Sequence, residues 1–384
     1  MSTRVIVLGA GMVGSVMAAD LAGDPAFEVT LADVRPEALA RAAAKFPGKI
    51  KTIAADLSSA AIVTSTIAPF DLVLGALSSR IGYHVLRTVI EAGKNYCDIS
   101  FMAEDFLELD ALAKAKGVTA VTDCGVAPGM SNILAAYGAS QLDECERIEI
   151  YVGGLPRERR WPYEYKAAFS PADVIEEYTR PSRLVEHGAV VTKEALSEPV
   201  LLDFDGIGTL EAFNTDGLRS LIETVGKRYN VPFMKEQTMR YPGHIALMRA
   251  MRETGLFSKD EIVVNGVKVR PLDVTSTLMF PKWTYEPGEE DLTVMRITCA
   301  GRKSGKPTTL RWDLLDYYDR ATASTSMSRT TGFPCTIVAR MIASGKFKSP
   351  GVNAPEAIAD HPSLVNDLLA QMAERNVRYT ATGT

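Results

Sequence analysis

The chain has 384 residues, of which 46% are hydrophobic and 23% charged, with a formal net charge of −5. That is the composition of a soluble globular protein of two-domain length, and its mild acidity gives no reason to expect nucleic acid or a membrane surface as partner. No apolar run reaches the ~18 residues of a membrane span, and the N-terminal residues lead straight into a predicted strand, so no signal peptide is expected.

Residues 4–8 (Arg-Val-Ile-Val-Leu) read as a buried strand, followed by Gly9-Ala10-Gly11-Met12-Val13-Gly14 and a helical run to residue 21. In G-x-G-x-x-G the first glycine permits a tight turn, the second leaves room for a pyrophosphate, and the third lets helix and strand pack closely. The N–H groups at the helix start then face phosphate oxygens. A second strand, 27–31, ends at Ala32-Asp33 with Val34 beside it. Asp33 lies about 20 residues beyond the glycines, where a carboxylate accepts the ribose hydroxyls of an adenosine. It repels a 2′-phosphate, so NAD is expected over NADP; Arg35 works against that preference.

Residues 36–46 read as an alanine-rich helix begun by a proline, and 49–54 as a third strand leading to Asp56-Leu57. Asp56 can sit beside the adenine or cap the helix that follows, and the two uses are compatible. Residues 71–76 form a fourth strand, ending in Ala76-Leu77-Ser78 at the carboxyl edge of the sheet, where such folds bind their ligands. These small residues suit a flat nicotinamide or simply make a tight turn. A helix over 83–92, a strand over 95–99 ending near Asp98, a helix over 102–116 and a strand over 118–121 follow. The last strand runs into Asp123. Six strands alternating with helices predict a doubly wound parallel α/β sheet of Rossmann type.

The character changes after Pro128-Gly129. A helix over 130–141 precedes alternating strands at 147–154, 200–204, 262–269, 291–300 and 308–316, with hairpin signals at Asn265-Gly266 and at 301–305. This predicts a second, α+β domain with a mostly antiparallel sheet. Helices are predicted over 334–344 and 362–374, with the Pro-, Gly- and Asn-rich residues 348–355 as a loop between them. The expected division is 1–128 for the cofactor, 129–333 for substrate and dimerisation, and 334–384 as helices returning to the first domain.

Asp123-Cys124-Gly125-Val126-Ala127-Pro128-Gly129-Met130-Ser131-Asn132, the segment Tyr151-Val152-Gly153-Gly154-Leu155-Pro156, residues 210–215 and Arg240-Tyr241-Pro242-Gly243-His244 together resemble the saccharopine dehydrogenase-like family. The resemblance covers most of the chain, and within the family it is greatest to the lysine 6-dehydrogenases. It implies a homodimer that oxidatively deaminates the side-chain amine of L-lysine with NAD. The glutamate-forming saccharopine enzymes are similar but carry Asp in D-P-G, where this chain has Ala127, and Arg in N-R-D, where it has Asn214-Thr215-Asp216. The missing arginine argues for a smaller substrate with fewer carboxylates. Arg219 is close enough in sequence to compensate, and Asp216 with Arg219 can equally be a surface ion pair.

Oxidising an amine at carbon needs a base for the ammonium proton, a carboxylate near the iminium, and activation of a water. Asp98 and Asp123, at ends of adjacent predicted strands, are candidate bases, with helix capping as the structural alternative. His244 beside the Pro-Gly turn is a third candidate, as base or proton shuttle. Arg240 offers a planar fork for an α-carboxylate, with a structural ion pair as the alternative. Asn132, Asn214, Thr215 and Tyr241 complete the expected substrate contacts. Cys124 reads as a small buried residue. His84, His187 and His361 have no motif around them, and residues 161–165 form either a lid or a packing surface. The 5 cysteines show no CxxC spacing, so a reducing compartment is expected, cytoplasm by default, and no metal site.

Overall fold

A computed structural model describes residues 2–383. The chain divides into two compact units, Met1–Tyr137 with Ser328–Arg378, and Gly138–Met327 with Tyr379–Thr384.

The first unit is built on a parallel sheet. Its strands are β1 (Thr3–Leu8), β2 (Phe27–Asp33), β3 (Ile50–Ala54), β4 (Leu72–Gly75), β5 (Asn95–Asp98) and β6 (Thr119–Val121). A further strand, Gly351–Asn353, pairs with β6, giving the order Gly351–Asn353, β6, β5, β4, β1, β2, β3. Every pairing is parallel. Strand runs such as Val5-Ile6-Val7-Leu8 are fully buried because helices cover both faces. Val85 and Val89 of the helix Ser79–Glu91 join Ile6 and Val73 in one core.

Three expectations need correcting here. The break at 348–355 is not all loop: Gly351 donates its N–H to Val118 O at 2.8 Å, and the Asp110 carboxylate accepts from Val352 N. A sheet edge waiting for a partner overrode weak local propensity. The helix expected over 102–116 is a 3-10 turn, Phe106–Leu109, followed by a helix Asp110–Lys116. Asp105 caps the turn at Leu107 N. The helix expected from 334 begins at Ser326 and runs to Ala343 with Pro334 inside it. Its start is set by the Asp291 carboxylate, which accepts from the N–H groups of Ser326 and Met327 at 2.7 and 2.9 Å.

The second unit holds β7 (Glu144–Pro156), β8 (Ser182–Glu186), β9 (Ala189–Lys193), β10 (Val200–Phe204), β11 (Gly208–Asn214), β12 (Phe233–Arg240), β13 (Ile262–Val264), β14 (Val267–Val269), β15 (Asp291–Lys303) and β16 (Lys306–Tyr317). The sheet runs β10, β11, β12, β7, β15, β16 and Tyr379–Thr382, with β8 and β9 attached to β12. Only β12 with β7 is parallel on that path. Residues 262–269 form the expected hairpin, apart from this sheet, turning at Asn265 and Gly266 with φ of 50° and 81°. Two consecutive positive φ values are what a two-residue hairpin turn requires.

Alternation along β11 places Phe213 on one face of this sheet and Leu210 and Ala212 on the other. On the Phe213 face, the helices Pro171–Thr179, His244–Glu253 and Pro271–Trp283 supply Tyr178, Ile245, Met248 and Trp283. That face carries the polar centre described below.

Candidate functional site

In the first unit the glycines do different work. Gly9 has φ +105°, and a Cβ there would lie 2.3 Å from Ala76 O; at Gly14 it would lie 1.9 Å from Gly9 O. Both are demanded by the chain's own packing. At Gly11 a Cβ would meet nothing within 4 Å. The folded chain alone therefore does not need that glycine, whereas a group lying against the backbone does. Gly11 is also the N-cap of the helix Met12–Ala22 and provides no capping side chain, which leaves the first N–H groups for an acceptor. Met12 lies exposed at this helix start, with Val13 behind it. The residues fit the pyrophosphate of a dinucleotide.

Asp33 is buried at the end of β2. Its carboxylate accepts from Ala10 N at 2.7 Å and from Arg35 N and Nε at 2.8 and 3.0 Å. Burial alone would raise its pKa, but the Arg35 guanidinium and these N–H groups outweigh it and hold it below the ordinary value. Asp33 is thus ionised, and Arg35 lies on it. Val34 is exposed beside it. Asp56 is exposed and accepts from Ser58 N and Oγ at 3.0 and 2.7 Å, a local side-chain turn ahead of the helix Ala60–Ile67, which it does not cap, while Leu57 is in the core. Ala76 and Leu77 are partly exposed at the end of β4, and the Ser78 hydroxyl caps the next helix at Arg80 N.

At the ends of β5 and β6 lie two buried carboxylates. Asp98 Oδ1 accepts from Asp123 N at 3.2 Å, and Asp98 Oδ2 from the Tyr96 hydroxyl at 3.2 Å. Burial, and then the Asp123 charge, push Asp98 up to about 8. Asp123 has φ 54°, a left-handed conformation that aspartate tolerates better than most residues and that is enriched at functional sites. Asn132 is fully buried and closes the turn ahead of it: its Oδ1 accepts from Gly129 N and Ser131 Oγ, and its amide donates to Glu356. Cys97 and Cys335 lie beside the pair with sulfurs 3.4 Å apart. Cys124 is fully buried, with its thiol held protonated by hydrogen bonding to Cys97 and by burial, so it is no nucleophile.

In the second unit Arg240, 2% exposed, is the centre of the polar cluster. It donates to Glu177 Oε2 at 2.9 Å, to the Tyr178 hydroxyl at 3.1 Å and to Met239 O at 3.0 Å, and its guanidinium stacks 4.5 Å from the Tyr165 ring. The Tyr178 hydroxyl lies 3.0 Å from His244 Nε2, and His244 Nδ1 lies 2.9 Å from Tyr163 O. Since Nδ1 faces a carbonyl, Nδ1 carries the proton and Nε2 accepts. Burial and the Arg240 charge lower His244 to about 3, so it is neutral. A row of alternate residues on β12 continues from Arg240 to Thr238 and Glu236. Thr215 Oγ1 lies 2.5 Å from Glu236 Oε2 and 2.8 Å from Thr238 Oγ1. Burial pushes Glu236 up to about 8, against the Thr215 hydroxyl and with help from Glu177 and Asp216. A Cβ on Gly217 would fall 2.3 Å from that carboxyl group, so a larger residue there would have to displace the Glu236 side chain.

A model of the saccharopine dehydrogenase C-terminal domain matches residues 125–377, and one of the saccharopine dehydrogenase NADP binding domain matches 5–121. The chain belongs to the saccharopine dehydrogenase family. It is 22% identical to the mitochondrial alpha-aminoadipic semialdehyde synthase of Bos taurus over 99% of its own length, and it spans about half of that relative, 48%. It is 24% identical to the carboxyaminopropylagmatine dehydrogenase of Synechocystis sp., with 94% of each chain covered. The apo saccharopine dehydrogenase (L-Glu forming) of Saccharomyces cerevisiae shares its fold, with a TM-score of 0.81 at 17% identity over 99% of each chain.

As in a family member, a nicotinamide-dinucleotide binding domain occupies the first unit. Asp98, Asp123 and Asn132 lie in that unit; Asn214, Thr215, Arg240, Tyr241 and His244 lie in the other. Within the second unit Arg240 and His244 meet through Tyr178. Asn214 points elsewhere, to Ser197, Glu198 and Gln237, and Tyr241 donates to Pro156 O at 2.9 Å. Asp216 pairs with Arg183 at 2.9 Å. Glu177, Tyr178 and Glu236 escaped sequence reading. Glu236, Thr238 and Arg240 share a period of two, a signal visible only once 233–240 is taken as a strand. Among the described residues no helix is long and apolar enough to cross a membrane, and no group of three or more His, Cys, Asp or Glu is placed to hold a metal ion.

Proposed function

We infer that the protein is an NAD-dependent dehydrogenase acting on an amino group, and that its reaction is oxidative deamination of the side-chain amine of L-lysine. Lysine, NAD⁺ and water give 2-aminoadipate 6-semialdehyde, ammonium, NADH and a proton. The aldehyde closes on its own α-amine to 1-piperideine-6-carboxylate, because a six-membered ring forms readily. The observation that carries this reading is the buried Asp98–Asp123 pair at the carboxyl edge of the sheet that also bears the glycine turn. The amine must lose a proton before its C–H can leave with the electron pair. Asp98, titrating at about 8, is matched to that task at mildly alkaline pH. The negative charge of the pair favours the iminium that follows, and the same pair accepts a proton from the water that hydrolyses it. The nicotinamide ring, when bound, supplies the hydride acceptor.

The preference for NAD rests on the ionised Asp33, with Arg35 as the counterweight. In the second unit Thr215, Arg240 and His244 shape the substrate face in this reading; Asn214 and Tyr241 are engaged with Gln237 and Pro156 O on the other side of β11 and β12. Arg240 is engaged by Glu177 and Tyr178, so its part is positioning. A homodimer and a cytoplasmic setting belong to the same reading. A second reading, reductive coupling of an amine with a carbonyl compound, is favoured by the similarity to the Synechocystis enzyme over 94% of each chain.

The test is absorbance at 340 nm with NAD and L-lysine at mildly alkaline pH, with ammonia assayed in parallel. NADH and ammonia rising together support the deamination. Silence with lysine but turnover with saccharopine, or with NADPH plus an amine and a carbonyl compound, replaces it by the second reading. Tight NADH binding without any turnover would mark a dinucleotide sensor.

A further inference from the structure

The second unit holds a cavity of about 600 Å³ where the end of β7, residues 157–166, the loop 285–290 and Arg320 meet. Its floor is two consecutive carboxylates, Glu289 and Glu290, with side chains 15% and 16% exposed. Lys166 and Arg160 pair with Glu289, and Arg157 and Arg320 pair with Glu290.

Two features of the walls are not used up by these pairs. Arg157 spends only Nη1 on Glu290, at 2.8 Å, and Arg320 spends only Nε, so the rest of each planar fork is open to an acceptor. Glu286 lines the same cavity, and its carboxylate makes no hydrogen bond or ion pair with any described residue. Tyr285 adds a third sign: its hydroxyl exposes less than 1 Å² and makes no hydrogen bond among the described residues. A buried donor left unmade is costly and calls for a partner.

The cavity offers cations and carboxylates in equal number. Arg157, Arg160, Lys166 and Arg320 are balanced by Glu158 with Glu286, Glu289 and Glu290. A simple anion would meet as many repulsive groups as attractive ones, and so would a simple cation. A molecule carrying both signs a few bonds apart meets neither problem.

We propose that this cavity binds the head group of a free α-amino acid, with its carboxylate on the open N–H groups of Arg157 and Arg320 and its ammonium on Glu286. The site is independent of which amine the protein oxidises.

Isothermal titration of the full chain with L-norleucine tests this at low ionic strength. Norleucine has the α-amino acid head but no side-chain amine, so a failure of lysine turnover leaves the result standing. Saturable binding is expected, with hexanoate and pentylamine, which each lack one of the two charges, at least about tenfold weaker. Glu286→Gln and Arg157→Ala should each weaken norleucine about tenfold. Both side chains are exposed, and in Arg157→Ala Glu290 keeps its pair with Arg320, so each variant is expected to fold, which its unfolding midpoint checks. Arg87→Ala, on a surface helix of the first unit, should change nothing. No saturable norleucine binding, hexanoate binding as tightly as norleucine, or undiminished binding in both cavity variants would overturn the proposal.

Discussion

The backbone N–H of Asp123 donates to Asp98 Oδ1 at 3.2 Å, so two buried carboxylates share the ends of neighbouring strands. A carboxyl group held at about 8 accepts protons in the range where an amine must give one up. The rate with the amine substrate should therefore rise with pH and level off above about 8. Asp98→Asn should lower kcat about 10²–10⁴-fold and remove that inflection. Initial rates from pH 6 to 10 decide it; an unaltered profile in the variant would exclude Asp98 as the base.

Glu236 should make the protein less stable as pH rises. Its folded value of about 8 lies above its unfolded value near 4.5, so the folded state holds a proton that the unfolded chain releases between those limits. The associated stability is fully present below about 4.5 and is lost as pH climbs through 8. Glu236→Gln keeps the shape and the bonds to Thr215 and Gly217, and its unfolding midpoint should decline less between pH 5 and 8. Asp98 contributes in the same sense, so the slope is reduced, not abolished. Parallel slopes for variant and wild type would mean that Glu236 is ionised in the fold.

His244 acts in the opposite direction. Its value of about 3 lies below the unfolded 6.5, so its contribution is present above 6.5 and is lost as pH falls toward 3. The size is on the order of a few kcal/mol. Chemical denaturation at pH 4 and pH 7 should show a smaller difference for His244→Gln than for wild type.

Arg240→Met leaves the partly buried Glu177 and the Tyr178 hydroxyl without their shared donor and is expected to cost about 1–3 kcal/mol. NADH fluorescence titration should be unaffected in this variant, because Arg240 belongs to the second unit, while turnover is lost. Retained turnover would remove the Arg240 cluster from the substrate face.

Two substitutions in the glycine turn separate folding from binding. Gly14→Ala places a Cβ 1.9 Å from Gly9 O and should lower the unfolding midpoint. Gly11 has an ordinary φ of −71° and open space, so Gly11→Ala should leave the free protein as stable, or more stable by about 0.4–1 kcal/mol, while weakening NAD(H). Equal NADH affinity in Gly11→Ala would remove the pyrophosphate from this turn. Asp33→Ala should weaken NAD and narrow its advantage over NADP, since it also releases Arg35. An unchanged cofactor ratio would place the ribose away from Asp33.

Local patterns carried the first unit. Apolar strands with glycine turns, and helices stopped by glycine, are readable because one residue and its near neighbours settle the conformation. The hairpin turns at Asn265-Gly266 and Ser304-Gly305 were legible for the same reason, since both need consecutive positive φ values. Strand Gly351–Asn353 was not, because its pairing partner β6 lies more than two hundred residues away in sequence and its own residues favour a loop. Nor was β12, whose run Phe233–Arg240 mixes Lys, Glu, Gln and Arg on a strand that is buried on both faces.

The sequence by itself determined the dinucleotide turn, the family and the residue types at the strand ends, because these depend on short spacing and on backbone conformations few residues adopt. Only the tertiary structure decided which charges are real and which side chains are free to act. Burial and neighbours hold Asp98 and Glu236 near 8, make His244 neutral, and engage Arg240 with Glu177 and Tyr178. Those states follow from desolvation and from partners brought together across long stretches of chain, and neither is written in the order of the residues.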